Sequence, residues 1–189
     1  MRLIILWEKA DHRNAIFELL RGSPQRIRLT TLTLHDFDFD GGIRFSDEIV
    51  EMVNRGAKVT IVVGEDPRDM RKKAQKEPVY RKYLKSLKKI VDTNRVNAYY
   101  HRRIHAKVLL AETGSFTSSI VTSANFTPTG LGAGRQGTRE VGCYLRHLDG
   151  GPRMALKEAT NEMIELARRN PLKCALDQIF AEGGMQNVV

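Results

Sequence analysis

Cysteine is almost absent from this sequence. Cys143 and Cys174 are the only two in 189 residues, and neither has metal-ligand spacing. That argues against a disulfide framework or a cysteine-based structural zinc and fits a reducing, cytoplasmic setting. Long apolar runs are missing as well. The apolar start, Met1 to Trp7, gives way to Glu8, Lys9 and Asp11, so it is too short for a secretory core or a membrane span and reads as a strand. No internal repeat and no low-complexity linker is visible. With 41% hydrophobic content, the chain is expected to bury one core, residues 1–189, with no second enzymatic domain.

Negative charge is scarce in one stretch. The net charge is +9; residues 68–89 hold ten Lys and Arg against Asp69 and Glu77, while the remaining 21 basic and 20 acidic residues nearly cancel. A one-sign cluster favours a polyanion, since each neutralised phosphate releases counterions, or else an anionic membrane surface. A solvated helix face is the ordinary alternative. The candidate contacts are Arg71, Lys72, Lys73, Lys82, Lys85, Lys88 and Lys89, with Arg103 beyond them.

What is present reads as alternating strands and helices. Leu3 to Trp7 suits a strand, and Asn14 to Leu20 suits a helix ending near Gly22 and Pro24. Arg26 to Leu34 alternates and is rich in β-branched residues, which predicts a strand. Ser46, followed by Asp47 and Glu48, has the composition of an N-cap, and Gly56 closes that helix. Lys58 to Val63 is a short apolar run expected of a strand buried on both faces, so strand, helix and strand suggest a parallel βαβ unit. Val79 to Val91 places Val79, Tyr83, Leu84, Leu87, Ile90 and Val91 on one stripe of a basic amphipathic helix. Val96 to Tyr100, His105 to Leu110, Ser118 to Thr122 and Glu140 to Leu145 read as strands, with a Gly-rich loop from Gly130 to Gly137 before the last. Pro152 to Ala181 predicts two helices broken at Pro171.

One constellation carries chemistry. In an extended Ile104 to Leu110, side chains two apart share a face, so His105 and Lys107 point the same way. After Glu112 come nine residues and then Thr122-Ser123-Ala124-Asn125-Phe126, with Glu140 further on. An imidazole, an ammonium and a carboxamide are thereby available to a phosphodiester.

In this order His105, Lys107, Glu112, Ser123, Asn125 and Glu140 resemble the phospholipase D superfamily, over roughly residues 25–147 and most specifically from His101 to Gly142. Two departures stand out: the family's Asp is Glu112 here, and its Gly-Ser is Thr122-Ser123. The resemblance implies a mixed, mostly parallel α/β sheet flanked by helices on both faces. It divides the chain into an N-terminal strand and helix (1–24), a core with the catalytic motif (25–147) and C-terminal helices (148–189). It also implies no cofactor or metal, and a site where two such motifs meet at one phosphate. One histidine attacks phosphorus and the other protonates the leaving oxygen. The chain has one motif, so a homodimer through the catalytic face is expected. Lys107 and Asn125 would bind nonbridging oxygens, and Glu140 would orient a His105 ring. His101, four residues before His105 and so on the same face of an extended strand, reads as a phosphate contact or a bystander at the cleft rather than a second catalyst.

A competing pattern is Asp36-Phe37-Asp38-Phe39-Asp40-Gly41-Gly42 with Asp47, which follows the spacing of a calcium loop. A preceding strand, Arg44 and a final Asp in place of Glu weaken it. Three functions follow for comparison. A nuclease acting on DNA or RNA draws on the basic segment, with Tyr80, Tyr83, Tyr99 and Tyr100 available for stacking or for the core. A phospholipase D or phosphatidyltransferase would use the same chemistry on lipid, though stable membrane association is not expected. A non-catalytic nucleic-acid-binding module is opposed by the retention of His105, Lys107 and Asn125.

Overall fold

Alternate side chains of Arg26–Thr31 part to opposite sides of a sheet, and that separation organises the chain. The computed structural model describes residues 1–131 and 140–182. In chain order its elements are β1 (Arg2–Leu6), α1 (Lys9–Arg21), β2 (Arg26–Thr31), α2 (Phe45–Asn54), β3 (Lys58–Val63), α3 (Pro67–Lys76) and α4 (Pro78–Asp92). There follow β4 (Val96–Tyr100), β5 (Val108–Glu112), β6 (Thr117–Thr122), α5 (Pro128–Leu131), β7 (Gly142–Leu148), α6 (Gly150–Ala167) and α7 (Leu172–Glu182). The seven strands lie in the order β1-β7-β6-β5-β2-β3-β4.

The sheet is mixed but not mostly parallel, which corrects the expectation. Only β2 with β3 and β3 with β4 run parallel; the other four pairings are antiparallel. The βαβ reading holds for β2-α2-β3. It fails as an extrapolation because β5 and β6 are joined by a connection confined to residues 113–116, and a link that short permits only antiparallel neighbours.

Ile27, Leu29, Val59, Ile61, Leu109, Ala111 and Ile120 face one side, in a core shared with α1, α2, α4 and α7. The opposite side holds Val62, which packs with Ile104 and with Ala167 of α6. Helices therefore cover both faces, as expected. On the α6 side, however, the outer face of β1 and β7 is left open, with Leu3 55% and Ile5 45% exposed.

Three local expectations change. The helix expected to be capped by Ser46 begins at Phe45, and Asp36 supplies the cap from ten residues upstream, accepting from Ser46 N (2.9 Å) and Ser46 Oγ (2.8 Å). The calcium-loop spacing does not become a cage. Phe37 and Phe39 turn into the core beside Phe45, and the carboxylates go elsewhere: Asp38 to Arg44, Asp40 to Arg13 and Asp47 to Lys89. Among the described residues no three His, Cys, Asp or Glu converge on a metal position. Finally, α3 was not anticipated, although Asp66 before Pro67 is an N-cap followed by a first-turn proline, and Asp66 does accept from Arg68 N.

Glu112 lies at the end of the sheet opposite the histidine motif. Its carboxylate receives Arg28 Nη1 (2.5 Å) and Lys157 Nζ (2.8 Å), with Arg26 Nη1 at 3.9 Å, and so ties α6 to β2 and β5. Burial opposes its ionisation, but the Lys157 hydrogen bond and the charges of Arg28, Lys157 and Arg26 together hold the carboxyl below its ordinary range. Because the folded value is lowered, this contribution to stability is present above the unfolded carboxyl range and is lost as pH falls through the folded value. Glu112→Gln keeps the shape and removes the charge. It is expected to lower the unfolding free energy by about 2–4 kcal/mol at neutral pH, measured by urea denaturation.

Candidate active site

The C-terminal ends of β2, β3 and β4 and the start of β5 lie along one edge, because Thr30 pairs with both Val62 and Val108 and Val63 pairs with Tyr100. Open α/β sheets place ligands beyond the carboxyl ends of their parallel strands. The turn from His101 to Lys107 crosses this edge. His101 N donates to Val63 O (2.9 Å), and Ile104 N donates to His101 O (2.9 Å). The strand expected from His105 begins only at Val108, so His105 and Lys107 stand just before it. Thr122 N still donates to Lys107 O (3.0 Å), which continues the β5–β6 ladder one residue and aligns Lys107 with the end of β6. His105 is exposed and Lys107 is half-buried.

The second half of the motif leaves β6 at the same edge. Ser123 N donates to Val141 O (2.9 Å) and Val141 N to Ser123 Oγ (3.0 Å), while Ser123 Oγ donates to Glu140 Oε2. Glu140, expected to orient a histidine, thus holds Ser123 within this chain. Asn125 is half-buried, and its Oδ1 has no hydrogen-bond partner among the described residues. Its backbone is fixed by close approach, since a Cβ added at Gly130 would overlap the Asn125 carbonyl oxygen. Lys9 Nζ donates to Thr129 O (2.7 Å), and the buried Arg13 donates to Leu131 O (3.0 Å) and Asp40 Oδ1 (3.1 Å), so α1 clamps the turn after Asn125. His12, fully buried in α1, aims Nε2 at Gly142, where an added Cβ would lie 2.8 Å away. Sequence reasoning missed this use of α1. Most of the Gly-rich loop, residues 132–137, lies outside the described residues.

The structure thus brings His105, Lys107, Ser123, Asn125 and Glu140 to one edge of the sheet and leaves Glu112 at the other. It also redistributes the basic segment. Arg71 pairs with Glu182, Lys88 with Asp92 and Asp177 (2.7 and 2.6 Å), and Lys89 with Asp47 (2.7 Å), so these cations fasten α3 and α4 to α2 and α7. Burial opposes the charge on Lys88, but hydrogen bonds to Asp177 and Asp92 raise its pKa. Lys82 is exposed and Lys85 half-buried on α4; Arg103 is exposed beside the histidine turn. Tyr80 is buried, Tyr83 and Tyr100 pack on the main core, and Tyr99 packs on the α6 cluster.

Lys72 and Lys73 instead line a cleft of about 850 Å³ with Arg68, Arg102, Glu65 and Asp66. The cleft and the histidine turn share a wall: a Cβ at Gly64 would overlap the Ile104 carbonyl oxygen. Lys73 Nζ reaches Glu65 Oε1 at 2.6 Å, and Glu65 is 7% exposed. Behind it His35 stacks on Tyr83 (4.5 Å between centroids, 13° between planes) and meets the edge of Tyr80. Burial lowers the His35 pKa to about 4, with Glu65 opposing the shift and Lys73 adding to it. The Gly64-Glu65-Asp66-Pro67 run directly after an apolar strand was the available signal for this cleft.

Among comparisons with known proteins, a family model described as cardiolipin synthase, PLD-like domain, matches residues 16–147. No curated protein sequence matches. The fold resembles that of TrmBL2, an archaeal chromatin protein whose structure shows a novel mode of DNA binding (TM-score 0.52, 15% identity, 88% of this chain and 53% of that one). It also resembles polyphosphate kinase from Porphyromonas gingivalis (TM-score 0.54, 11% identity, 87% of this chain and 22% of that one). Yeast tyrosyl-DNA phosphodiesterase aligns at a TM-score of 0.38 and 13% identity, over 76% of this chain and 31% of that one. The chain therefore spans about half the length of the first of these and less of the others.

Two outcomes follow. Gly64→Ala is expected to push the Ile104 turn away and to cost about 1–3 kcal/mol of stability, read by urea denaturation. The folded His35 value of about 4 lies below the unfolded 6.5, so the unfolded chain binds the extra proton between them. Its contribution is whole above pH 6.5 and drains away toward pH 4. Between pH 6.5 and 5 the loss is about 2 kcal/mol, and His35→Phe, which keeps the stacking, flattens that slope.

Proposed function

The chain belongs to the phospholipase D-like family, and on that footing we propose that it is a phosphodiesterase that cleaves nucleic acid through a phosphohistidine intermediate. The observation that carries this reading is the meeting of the His105-x-Lys107 turn, Ser123 and Asn125 at one sheet edge, which shares the Gly64–Ile104 wall with a cleft lined by Arg68, Arg102, Lys72 and Lys73 and by Glu65, Asp66 and Asp69. A His105 ring nitrogen attacks phosphorus, a P–N bond forms, and the bond to the leaving oxygen breaks. A second imidazole gives that oxygen a proton, then takes one from water as the water attacks the phosphohistidine, which restores both rings. Lys107 Nζ and the Asn125 amide are assigned to the nonbridging oxygens, on which charge grows. Ser123, bonded to Glu140 and Val141, holds the end of β6 against the start of β7.

The second imidazole comes from a second copy of the chain, since this sequence holds one such motif. Exposed apolar residues near the site support that pairing: Val141, bonded to Ser123, is 49% exposed, and Ile5 and Trp7, in and just after the strand that pairs with β7, are 45% and 68% exposed, and exposed apolar patches mark association surfaces. A DNA-binding protein among the proteins of similar fold supports the nucleic-acid substrate. A second reading, phosphatidyl transfer or lipid hydrolysis, is favoured by the description of the matching family and by the same apolar face. No helix among the described residues is long and apolar enough to cross a membrane.

The test is incubation with labelled single-stranded DNA, duplex DNA, RNA and phosphatidylglycerol vesicles, each in excess EDTA. Cleavage of a nucleic acid persists there and drops by about three orders of magnitude or more in His105→Ala. Strict dependence on added magnesium would sink the mechanism, and turnover of the vesicles alone would transfer it to lipid. Sedimentation at working concentration gives a dimer; a monomer that is fully active contradicts the shared site.

A further inference from the structure

Asp66 grips two guanidinium groups by the same atom of each. Its Oδ1 accepts from Arg68 Nε (3.3 Å) and from Arg68 N (2.8 Å), and its Oδ2 accepts from Arg102 Nε. The carboxylate lies beneath, with its side chain 9% exposed, while the Arg68 and Arg102 side chains are 76% and 61% exposed in the cleft. The two arginines arrive from different elements, Arg68 from the first turn of α3 and Arg102 from the turn that carries His105.

An Nε bond fixes the plane of a guanidinium and leaves its two terminal nitrogens as a fork suited to paired phosphate oxygens. Neither fork has a protein partner among the described residues, and the buried carboxylate between them offsets the repulsion of two neighbouring cations. His105 is the third residue after Arg102, which limits their Cα separation to roughly 10 Å. That spacing is compatible with neighbouring phosphates of one strand.

We propose that Arg68 and Arg102, organised by Asp66, form a second phosphate subsite that takes a phosphodiester neighbouring the scissile one on the same nucleic-acid strand. The subsite deepens the nuclease reading and rests on it. It moves polymer recognition from the outer face of α3 and α4 to the cleft beside the catalytic turn. Lys72 lines the same cleft and stands 4.0 Å from Asp69, which lines it too, so the two arginine forks carry the subsite. A substrate with a single phosphodiester cannot fill both positions, so the subsite selects for chain length.

Steady-state kinetics on a thymidylate dinucleotide, with one phosphodiester, and on a dodecamer test this. In Arg68→Gln/Arg102→Gln the KM for the dodecamer rises about tenfold or more, and its loss exceeds that on the dinucleotide by a similar factor. The dependence of log KM on log salt becomes shallower by roughly the slope of one single-strand phosphate contact. Arg68→Lys/Arg102→Lys keeps the charge without the fork and recovers only part of the affinity. Both arginines are exposed, and an unchanged urea midpoint confirms a folded variant. Equal losses on the two substrates, or an unaltered salt slope, overturn the subsite while the nuclease reading stands. A parent protein that cleaves neither substrate overturns both.

Discussion

The contact between Gly64 and the Ile104 carbonyl is the constraint on which the site depends. Only a residue without a Cβ lets the turn from His101 to Lys107 lie directly on the end of β3. That seating places Ile104 against Val62 and Ala167 in the core beneath α6, so the turn is anchored from below by apolar packing. It also sets Arg102 against Asp66 and presents His105 to solvent. One close approach thus joins the exposed His105 turn to the cleft that Arg68, Arg102, Lys72 and Lys73 line with three carboxylates. A parallel device operates on the other half of the motif, where Gly130 lies against the Asn125 carbonyl and α1 holds the following turn through Lys9 and Arg13.

Buried carboxylates serve opposite purposes at the two ends of the sheet. Glu112 gathers Arg28, Arg26 and Lys157 at the far end, where the two closest partners are themselves mostly buried, so the cluster binds α6 to the sheet. Glu65 and Asp66, 7% and 8% exposed, instead hold cations whose heads stand in the cleft. Pairing a buried acid with an exposed base orients the base without consuming it, because the guanidinium has more donors than one carboxylate can occupy. The first arrangement is a structural tie, and the second leaves basic groups oriented at the surface of the cleft.

Much of the architecture was legible along the chain. The apolar run Lys58–Val63 and the segment Val96–Tyr100 are strands with the expected bounds, and the expected stripe of α4 packs inward from Tyr83 to Val91, while Val79 is 55% exposed and Tyr80 is buried in its place. Each of these is decided by local periodicity, which burial on one or two faces imposes directly. Strand direction is not local. The βαβ unit around α2 correctly implied parallel pairing, yet β5, β6 and β7 reverse because short links and hydrogen-bond register, rather than composition, choose the neighbour. The Ser46 cap misled for a related reason: Asp36, ten residues away, performs the capping that composition assigned to Ser46.

Sequence by itself determined the chemistry available: one His-x-Lys motif, one Ser-x-Asn, and a basic excess confined to residues 68–89. It also determined most elements, since hydrophobic spacing records which side of each is buried. Only the tertiary structure decided how those parts are spent. Glu112, close to His105 in sequence, went to the other end of the sheet because a strand carries its two ends apart. Lys88, Lys89 and Arg71 became fastenings, whereas Arg68 and Arg102, drawn together by Asp66, became the cleft's forks. Charge is a property of composition, but its availability depends on which opposite charges the fold places beside it.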